Sequence, residues 1–202
     1  MIMLSLVEAI EKVAKYFSVD KEELVSFANE DAIGGYPERW QIGSIWAVEG
    51  KLLYCFVRML KPETIIEFGT RYGCSTAHMI AAMDKNNKGR IITVDIVGNE
   101  MAHNKSPRLK SVQCEGVTYS ELMNYNADMI FEDGPHTYEF TKDVIKNVLP
   151  HLNAKGILTI HDVDHYIVGT TVTKGVNDAL GCEFEHVLVQ PSDCGLGFWR
   201  KP

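Results

Sequence analysis

The sequence predicts a doubly wound α/β domain, in which a mostly parallel seven-stranded sheet ends in an antiparallel hairpin. From residue 64 onward, short runs rich in β-branched residues alternate with helical segments, as in the crossover units of a parallel sheet. Near the end, the strand-like runs 184–189 and 196–200 are separated by six residues, which is too short for a crossover helix. Those two runs are therefore predicted to pair antiparallel.

Helices are predicted before the sheet begins. Ser5 and Glu8 have the spacing of a capping box, and apolar residues at helical spacing predict a helix over 6–17. Asp20 repeats the cap ahead of a second short helix, and Ser44 is the predicted cap of a third.

The chain is therefore divided into a small helical N-terminal extension, 1–45, and a sheet domain, 46–202. The extension is a candidate lid, because Tyr36, Trp40 and Trp46 could cover an acceptor site, although such aromatic residues also serve as core packing. The first two helices have three alternatives: they cover the site, pair with another chain, or pack on their own sheet.

Five strands are predicted in the sheet domain ahead of the hairpin. They are the runs 64–68, 90–95, 111–114, 128–131 and 156–160. The last of these runs is almost entirely apolar, which is typical of a strand in a sheet that is covered on both faces.

Composition and charge limit the kinds of molecule that this chain is expected to bind. Lys and Arg number 20 against 27 Asp and Glu, for a net charge of −7, so nucleic acid is not predicted as a partner. The chain lacks a basic leader and any run approaching the ~18 apolar residues of a membrane span, which predicts a cytoplasmic protein without membrane contact. The five cysteines are scattered without C-x-x-C spacing, which indicates reduced thiols.

A glycine loop follows the first predicted strand. Gly69 and Gly73 fail the G-x-G-x-x-G spacing of a dinucleotide site. Glu67 would repel a pyrophosphate but suits a ligand with an ammonium group, such as S-adenosylmethionine, whose carboxylate a helix start can accept. Asp95 ends the second strand, where an acidic residue can accept both hydroxyls of a ribose.

These segments resemble known motifs. The loop 67–75 is similar to the first motif of class I S-adenosylmethionine-dependent methyltransferases, and Asp95 to their second. The segment 128–139 resembles the Asp-Gly-x-His-x-Tyr-Glu signature of methyltransferase family 24, whose fifth strand tends to end in His-Asp, as at His161 and Asp162. The family is distantly similar to catechol-type O-methyltransferases. The resemblance implies a Rossmann-like methyltransferase fold.

The resemblance also implies a set of S-adenosylmethionine-binding residues, with Gly116 and Val117 beside the adenine. The full predicted set is Glu67, Gly69, Thr70, Arg71, Tyr72, Gly73, Ser75, Asp95, Gly116, Val117 and Asp133.

A predicted catalytic group lies at the ends of the fourth and fifth strands. Its members are Asp133, His136, His161 and Asp162. Because neighbouring parallel strands end at the same edge of the sheet, these side chains should lie close together. In one route His136 or His161 removes the acceptor proton as a general base, oriented by Asp133 or Asp162.

The other route uses a divalent metal, Mg²⁺ or Mn²⁺, to align the acceptor hydroxyl and lower its pKa. Resemblance to the catechol-type enzymes implies Asp133, Asp162 and a following Asn as ligands, but this sequence has Val163 at that position. His161 or His136 could take the place of that Asn, and His161 is the predicted third ligand. The sequence leaves both routes open.

The sequence therefore predicts an enzyme that methylates an oxygen of a small-molecule acceptor with S-adenosylmethionine, with a homo-oligomer as an open alternative to a monomer. Two other functions are compatible with the fold. One is a cofactor-binding protein without turnover, and the other is a nucleotide-dependent oxidoreductase.

Overall fold

The fold is described from a computed structural model that covers residues 3–30, 44–97, 106–113 and 124–202. The helices of these ranges are α1 (Leu6–Phe17), α2 (Lys21–Asn29), α3 (Ala47–Leu60), α4 (Cys74–Asn86), α5 (Tyr138–Val148) and α6 (Gly169–Leu180). The strands are β1 (Thr64–Phe68), β2 (Arg90–Asp95), β3 (Leu109–Gln113), β4 (Ala127–Glu132), β5 (Leu152–His161), β6 (Glu185–Val187) and β7 (Leu196–Arg200).

The strands form one seven-stranded sheet in the order β3-β2-β1-β4-β5-β7-β6. The first five strands are parallel, while β7 runs antiparallel to both β5 and β6. The doubly wound sheet and its terminal antiparallel pair are confirmed. Strand order reverses between β1 and β4, and ligands of open α/β sheets bind beyond the carboxyl ends of strands at such a point.

Both faces of the sheet are covered, and β1 shows how. Ile65 packs in a core with α1 to α4, while its neighbour Ile66 packs in a second core with α5 and α6. Successive side chains of a strand point to opposite faces, so a completely buried strand needs apolar residues at both.

The N-terminal helices pack on their own sheet. The predicted capping box of α1 is present, with Ser5 and Glu8 each accepting a backbone N–H of the other. Phe17 at the end of α1 lies 5.7 Å, between ring centroids, from both Phe56 of α3 and Phe198 of β7. Helices α1 and α2 therefore share a hydrophobic core with the sheet domain from which the sequence divided them.

Two helices differ from what the sequence predicted. Helix α3 begins after Trp46 and not at Ser44, because the carboxylate of Glu49 accepts the Trp46 backbone N–H at 3.1 Å and caps the helix there. Helix α6 was not predicted, since its start, Gly-Thr-Thr-Val-Thr, has low intrinsic helix propensity. Its buried Val172 and Val176 pack on the sheet and stabilise it.

Within the described ranges, no helix combines the length and the apolar composition that a membrane crossing requires. The four cysteines of these ranges, Cys55, Cys74, Cys182 and Cys194, are all free thiols. Burial raises the pKa of Cys74 to about 11, which disfavours the thiolate form of this side chain beside the glycine loop.

Candidate active site

A cavity of about 470 Å³ lies at the carboxyl ends of β1, β2, β4 and β5. Of the predicted site residues, seven line it. They are Gly69, Arg71, Asp95, Asp133, His136, His161 and Asp162. The cavity thus joins the glycine loop to the ends of β4 and β5, as the topology requires.

Gly69 makes the close approach between the loops that follow β1 and β4. Its φ of +89° is in the left-handed region, and a Cβ there would collide with the backbone carbonyl of Asp133. The Asp133 N–H in turn donates to the Phe68 carbonyl at 2.9 Å. Only glycine fits this position without moving the strand that carries Asp133.

Asp95 holds the loop on the other side of the cavity. One carboxylate oxygen accepts the Arg71 backbone N–H at 2.6 Å, and the other accepts the Val97 N–H at 3.0 Å. Arg71 has a φ of +43°, which is a conformation that costs energy for a side-chain-bearing residue. Asp95 therefore fixes the shape of the glycine loop, and it also lines the cavity.

Glu67 lies under the glycine loop and does not line the cavity. It is on the α3/α4 face of β1, where its two oxygens accept the hydroxyls of Ser75 and Thr76 at 2.5 Å each. Burial raises the pKa of Glu67 to about 7, although the hydroxyl donors partly offset this. Strand alternation turns the carboxylate beneath the start of α4, and its predicted contact with an ammonium group stays a prediction.

The other predicted loop residues also lie off the cavity wall. Thr70 is buried and shares a hydrogen bond with Thr93 at 2.5 Å, and Gly73 is the left-handed N-cap of α4. Tyr72 is exposed. Gly116, Val117, Tyr36 and Trp40 lie outside the described residues.

The predicted catalytic side chains do converge. His136 Nε2 lies 2.8 Å from Asp162 Oδ2 and 3.4 Å from Asp133 Oδ1. His161 Nδ1 lies 3.2 Å from each of the same two oxygens. Each imidazole therefore contacts both carboxylates, and we call these four residues the Asp-His quartet. Asp162 has a φ of +57°, and such strain in a non-glycine residue is concentrated at functional sites.

Glu49 was missed by the sequence analysis. Its Oε2 lies 2.9 Å from His161 Nε2, and its Oε1 accepts the Ser192 hydroxyl at 2.5 Å. The side chain is 1% exposed. Sequence gives no signal for this role, because a glutamate three residues into a helix has the ordinary appearance of a capping residue. Cys194, which also lines the cavity, was missed for the same lack of a motif.

Residues 66–163 match a family model described as a methyltransferase domain. This span includes the glycine loop, Asp95 and the Asp-His quartet, whereas Glu49 on α3 lies before it. Over this span, which is just under half of the chain, the sequence is similar to methyltransferase domains.

Solved structures of low sequence identity share the fold of this chain. The SAH-bound methyltransferase PaMTH1 of Podospora anserina is 16% identical, with 100% of this chain and 99% of that chain covered and a TM-score of 0.62. The O-methyltransferase TomG of Streptomyces achromogenes, in complex with SAM, is 17% identical, with 95% and 96% covered and a TM-score of 0.61.

A curated relative, uncharacterized protein y4gI of Sinorhizobium fredii, is 24% identical over 184 residues. The alignment covers 78% of this chain but only 19% of the relative, so the chain spans about a fifth of that protein's length.

The pKa values of the charged side chains in the cavity are shifted in opposite directions. Burial lowers the pKa of His136, but hydrogen bonds with Asp133 and Asp162 outweigh it and raise the pKa to about 10. Burial likewise opposes the charge on His161, yet Glu49 and Asp133 hold its pKa well above the usual range. Burial disfavours the charge on Asp162, and the two histidines nevertheless lower its pKa. The quartet is thus held by imidazolium–carboxylate pairs.

Val163 gives no ligand to this site. Its side chain is 4% exposed and packs in the core with α5 and α6. The position at which the catechol-type resemblance expects an Asn therefore faces away from the cavity. Among the described residues, two groups of His, Cys, Asp and Glu side chains have ligand atoms within 4.8 Å of one another: Asp133, His136 and Asp162, and His161, Asp162 and Cys194.

The mouth of the cavity is apolar. Ile96 and Val97 on one side are 61% and 62% exposed, and Ile167 on the other is 66% exposed. All three line the cavity. Exposed apolar side chains around a concave site are typical of surfaces that bind a ligand.

Proposed function

We propose that the chain transfers the methyl group of S-adenosylmethionine to an oxygen of a small-molecule acceptor. The observation that carries the proposal is one continuous cavity, with the glycine loop and Asp95 on one wall and the Asp-His quartet on the other. The first wall suits a nucleoside, and the second suits a hydroxyl group that must lose a proton.

The cofactor lies along the β1–β2 wall in this proposal. Asp95 accepts the ribose hydroxyls, and Ile96 and Val97 contact the adenine ring, because they follow directly on the exposed side of the same wall. The backbone of the Gly69 loop contacts the methionine part, and Asp133 is the carboxylate nearest to that loop. The ligands of the two structural relatives, SAH and SAM, support this choice of cofactor.

The reaction requires an in-line displacement. The acceptor oxygen attacks the methyl carbon, the carbon–sulfur bond breaks, and its electron pair neutralises the sulfonium to give S-adenosylhomocysteine. The acceptor proton passes to the protein. Because the sulfonium is a good leaving group, holding oxygen and methyl in line supplies much of the rate.

In the metal-free route, His136 is the better base of the two histidines. Its side chain is 33% exposed and lines the cavity, whereas that of His161 is 5% exposed and has contacts at both ring nitrogens. His136 must be neutral to accept the proton. A bound sulfonium favours this, because a nearby positive charge disfavours the imidazolium.

In the metal route, Asp133, Asp162 and the imidazoles would hold a divalent cation, which would orient the acceptor hydroxyl and lower its pKa. The donor atoms of Asp133, His136 and Asp162 fit such an ion, because they lie within 4.8 Å of one another and line the cavity. In either route Asp133 and Asp162 position the acceptor.

The proposal also includes the predicted partners. An acceptor that fills the remaining cavity is a small molecule, and the net charge of −7 disfavours nucleic acid. Cytoplasmic location and the oligomeric state stay predictions.

The test is calorimetric titration of the full chain with S-adenosylmethionine and, separately, with NAD. We expect micromolar binding of S-adenosylmethionine alone, lost in Asp95→Ala and kept in the matched surface variant Asp84→Ala. Radiolabelled methyl transfer to catechol-type and sugar-type hydroxyl acceptors then measures turnover. Binding of NAD instead would point to an oxidoreductase, and binding without transfer to any acceptor would favour a cofactor-binding protein.

A further inference from the structure

Glu49 and Glu8 have the same position in two helices but very different surroundings. Each is the third residue of its helix and accepts the backbone N–H of the residue that caps the helix. Glu8 does this from an exposed position, so capping does not require burial. The Glu49 side chain is 1% exposed and contacts His161 and Ser192 as well. Its burial therefore needs a reason other than the cap.

The contacts of Glu49 join distant segments of the chain. A buried carboxylate–imidazole pair loses hydration that two apolar side chains would not lose, so such a pair is weak evidence for a role in stability alone. Glu49 Oε1 accepts the Ser192 hydroxyl at 2.5 Å, and that hydroxyl accepts the Cys194 N–H at 3.0 Å. Glu49 thus ties α3 to two segments that line the cavity, the end of β5 at His161 and the loop that carries Cys194.

The imidazole of His161 has one nitrogen for each side of this arrangement. Its Nε2 lies 2.9 Å from Glu49 Oε2, and its Nδ1 lies 3.2 Å from an oxygen of Asp133 and from one of Asp162. Because carboxylate oxygens accept hydrogen bonds, a hydrogen on Nε2 points to Glu49 and one on Nδ1 points to the two aspartates. A carboxylate on one nitrogen fixes the orientation of the whole ring.

We infer that Glu49 is a positioning residue of the methyl transfer, which acts through His161 to hold Asp133 and Asp162 toward the acceptor. The inference rests on the proposed function, in which these two carboxylates position the acceptor. Glu49 does not line the cavity, so its role does not include contact with acceptor or cofactor. Because a misplacement of about 1 Å can lower a rate about 10²-fold, an anchor outside the cavity can affect kcat strongly.

The backbone of Asp162 is the second observation that supports the anchor. Its φ of +57° costs energy, and such a conformation persists only where the surroundings hold it. Two imidazoles contact its side chain, and the His136 side chain is 33% exposed whereas that of His161 is 5% exposed. His161 is the more rigid of the two, because both sides of its ring are held. Glu49 therefore supports the strained residue through the more buried of its two partners.

The test measures steady-state methyl transfer and cofactor affinity in Glu49→Gln, which keeps the size of the side chain and removes its charge. We expect kcat to fall about 10- to 100-fold, while the acceptor KM and the S-adenosylmethionine dissociation constant change less than about 3-fold. Glu8→Gln is the matched control, because it alters a capping glutamate at the same helix position and should keep the wild-type kcat. Equal values of kcat in the two variants would overturn the positioning role.

A double-mutant cycle tests whether Glu49 acts through His161. His161→Gln keeps a donor near the position of Nε2 and removes the Nδ1 contacts with the aspartates. In that background, Glu49→Gln should lower kcat little further, because the route to the aspartates is already broken. A loss of the same factor in both backgrounds would overturn the route through His161.

Ser192→Ala keeps the inference testable if Glu49→Gln does not fold. It removes one hydrogen bond to Glu49 and leaves the carboxylate in place. We expect kcat to fall about 3- to 10-fold, in line with the loss of a single hydrogen bond. A wild-type kcat in this variant would overturn the anchoring role of the Glu49 contacts.

Proton NMR of the chain with ¹⁵N-labelled histidine gives a readout that needs no acceptor. We expect the His161 Nε2–H to be protected from solvent exchange in wild type and in Glu8→Gln, and to lose this protection in Glu49→Gln. An unchanged signal in Glu49→Gln would contradict this inference alone. A signal that depends on Glu49, in a chain that neither binds S-adenosylmethionine nor transfers its methyl group, would contradict the proposed function.

Discussion

The two walls of the cavity are built in different ways. The β1–β2 wall is shaped by backbone: Gly69 makes room with a positive φ, and Asp95 binds two backbone N–H groups. The β4–β5 wall is shaped by charged side chains that contact one another. Its most buried pair, Glu49 and His161, joins residues 112 positions apart in the chain.

This difference separates the properties that each wall controls. A wall of backbone donors and one carboxylate recognises a ligand, and its disruption should change affinity. A wall of imidazolium–carboxylate pairs at the end of two strands acts on a proton or a cation, and its disruption should change turnover. The variants below test this separation, beginning with the largest expected effect on activity.

Asp162→Asn should lower kcat about 10²- to 10⁴-fold, because it removes the charge that both histidines contact. Asn tolerates the φ of +57°, so the backbone should be retained. The dissociation constant for S-adenosylmethionine should change little. Steady-state methyl transfer and calorimetry measure the two quantities, and Asp178→Asn on the surface of α6 is the control. A parallel loss of cofactor affinity would show that the walls are not separable.

Asp95→Asn should have the opposite profile. Loss of a charged acceptor for the ribose hydroxyls should raise the S-adenosylmethionine dissociation constant about 10- to 100-fold. At saturating cofactor, kcat should stay near the wild-type value. Asp84→Asn, whose carboxylate pairs with Arg108 away from the cavity, should leave the dissociation constant unchanged. A lowered kcat at saturation would place Asp95 in the chemistry.

Gly69→Ala tests the backbone itself. The positive φ should cost about 1–2 kcal/mol of stability, and the collision with the Asp133 carbonyl should also widen the loop, raising the cofactor dissociation constant about 10-fold. Gly181→Ala is a matched control, since Gly181 has a φ of +71° but nothing within 4 Å of the added Cβ. The control should lose similar stability in chemical denaturation without losing affinity. Equal affinity in both variants would refute the close-approach argument.

Most features of the β1–β2 wall could be predicted from the sequence. Hydrophobic patterns and turn residues are local, so the strands, the terminal hairpin and the positions of Gly69 and Asp95 followed from neighbours in the chain. The bounds of α1, β1, β2 and β7 agree with the structure at every residue. Glu67 differs from Gly69 and Asp95, because strand alternation buries its carboxylate beneath the loop, where it accepts the Ser75 and Thr76 hydroxyls.

The β4–β5 wall could be predicted from the sequence only in part. The Asp-His quartet lies at the ends of two neighbouring strands, β4 and β5, so topology alone brings its members together. Glu49 could not be found in this way, because α3 packs against the site through tertiary contacts that no local pattern encodes. Helix α6 was missed for a related reason, since packing of its apolar face outweighs poor intrinsic propensity.

Glu67→Gln should have the smallest effect on turnover and an effect on stability that depends on pH. Burial raises the pKa of Glu67 to about 7, so the native state holds a proton that the unfolded chain releases near pH 4.5. Wild-type stability should therefore fall as pH rises from about 4.5 to 7, by up to about 3 kcal/mol, and stay level above. Gln does not titrate, so the variant should gain stability relative to wild type across this window. Urea denaturation at pH 5 and pH 8 measures the difference, with the exposed Glu63→Gln as control. A stability difference that is the same at both pH values would mean that Glu67 is already ionised at pH 5, and that its role under the loop is that of a charged anchor.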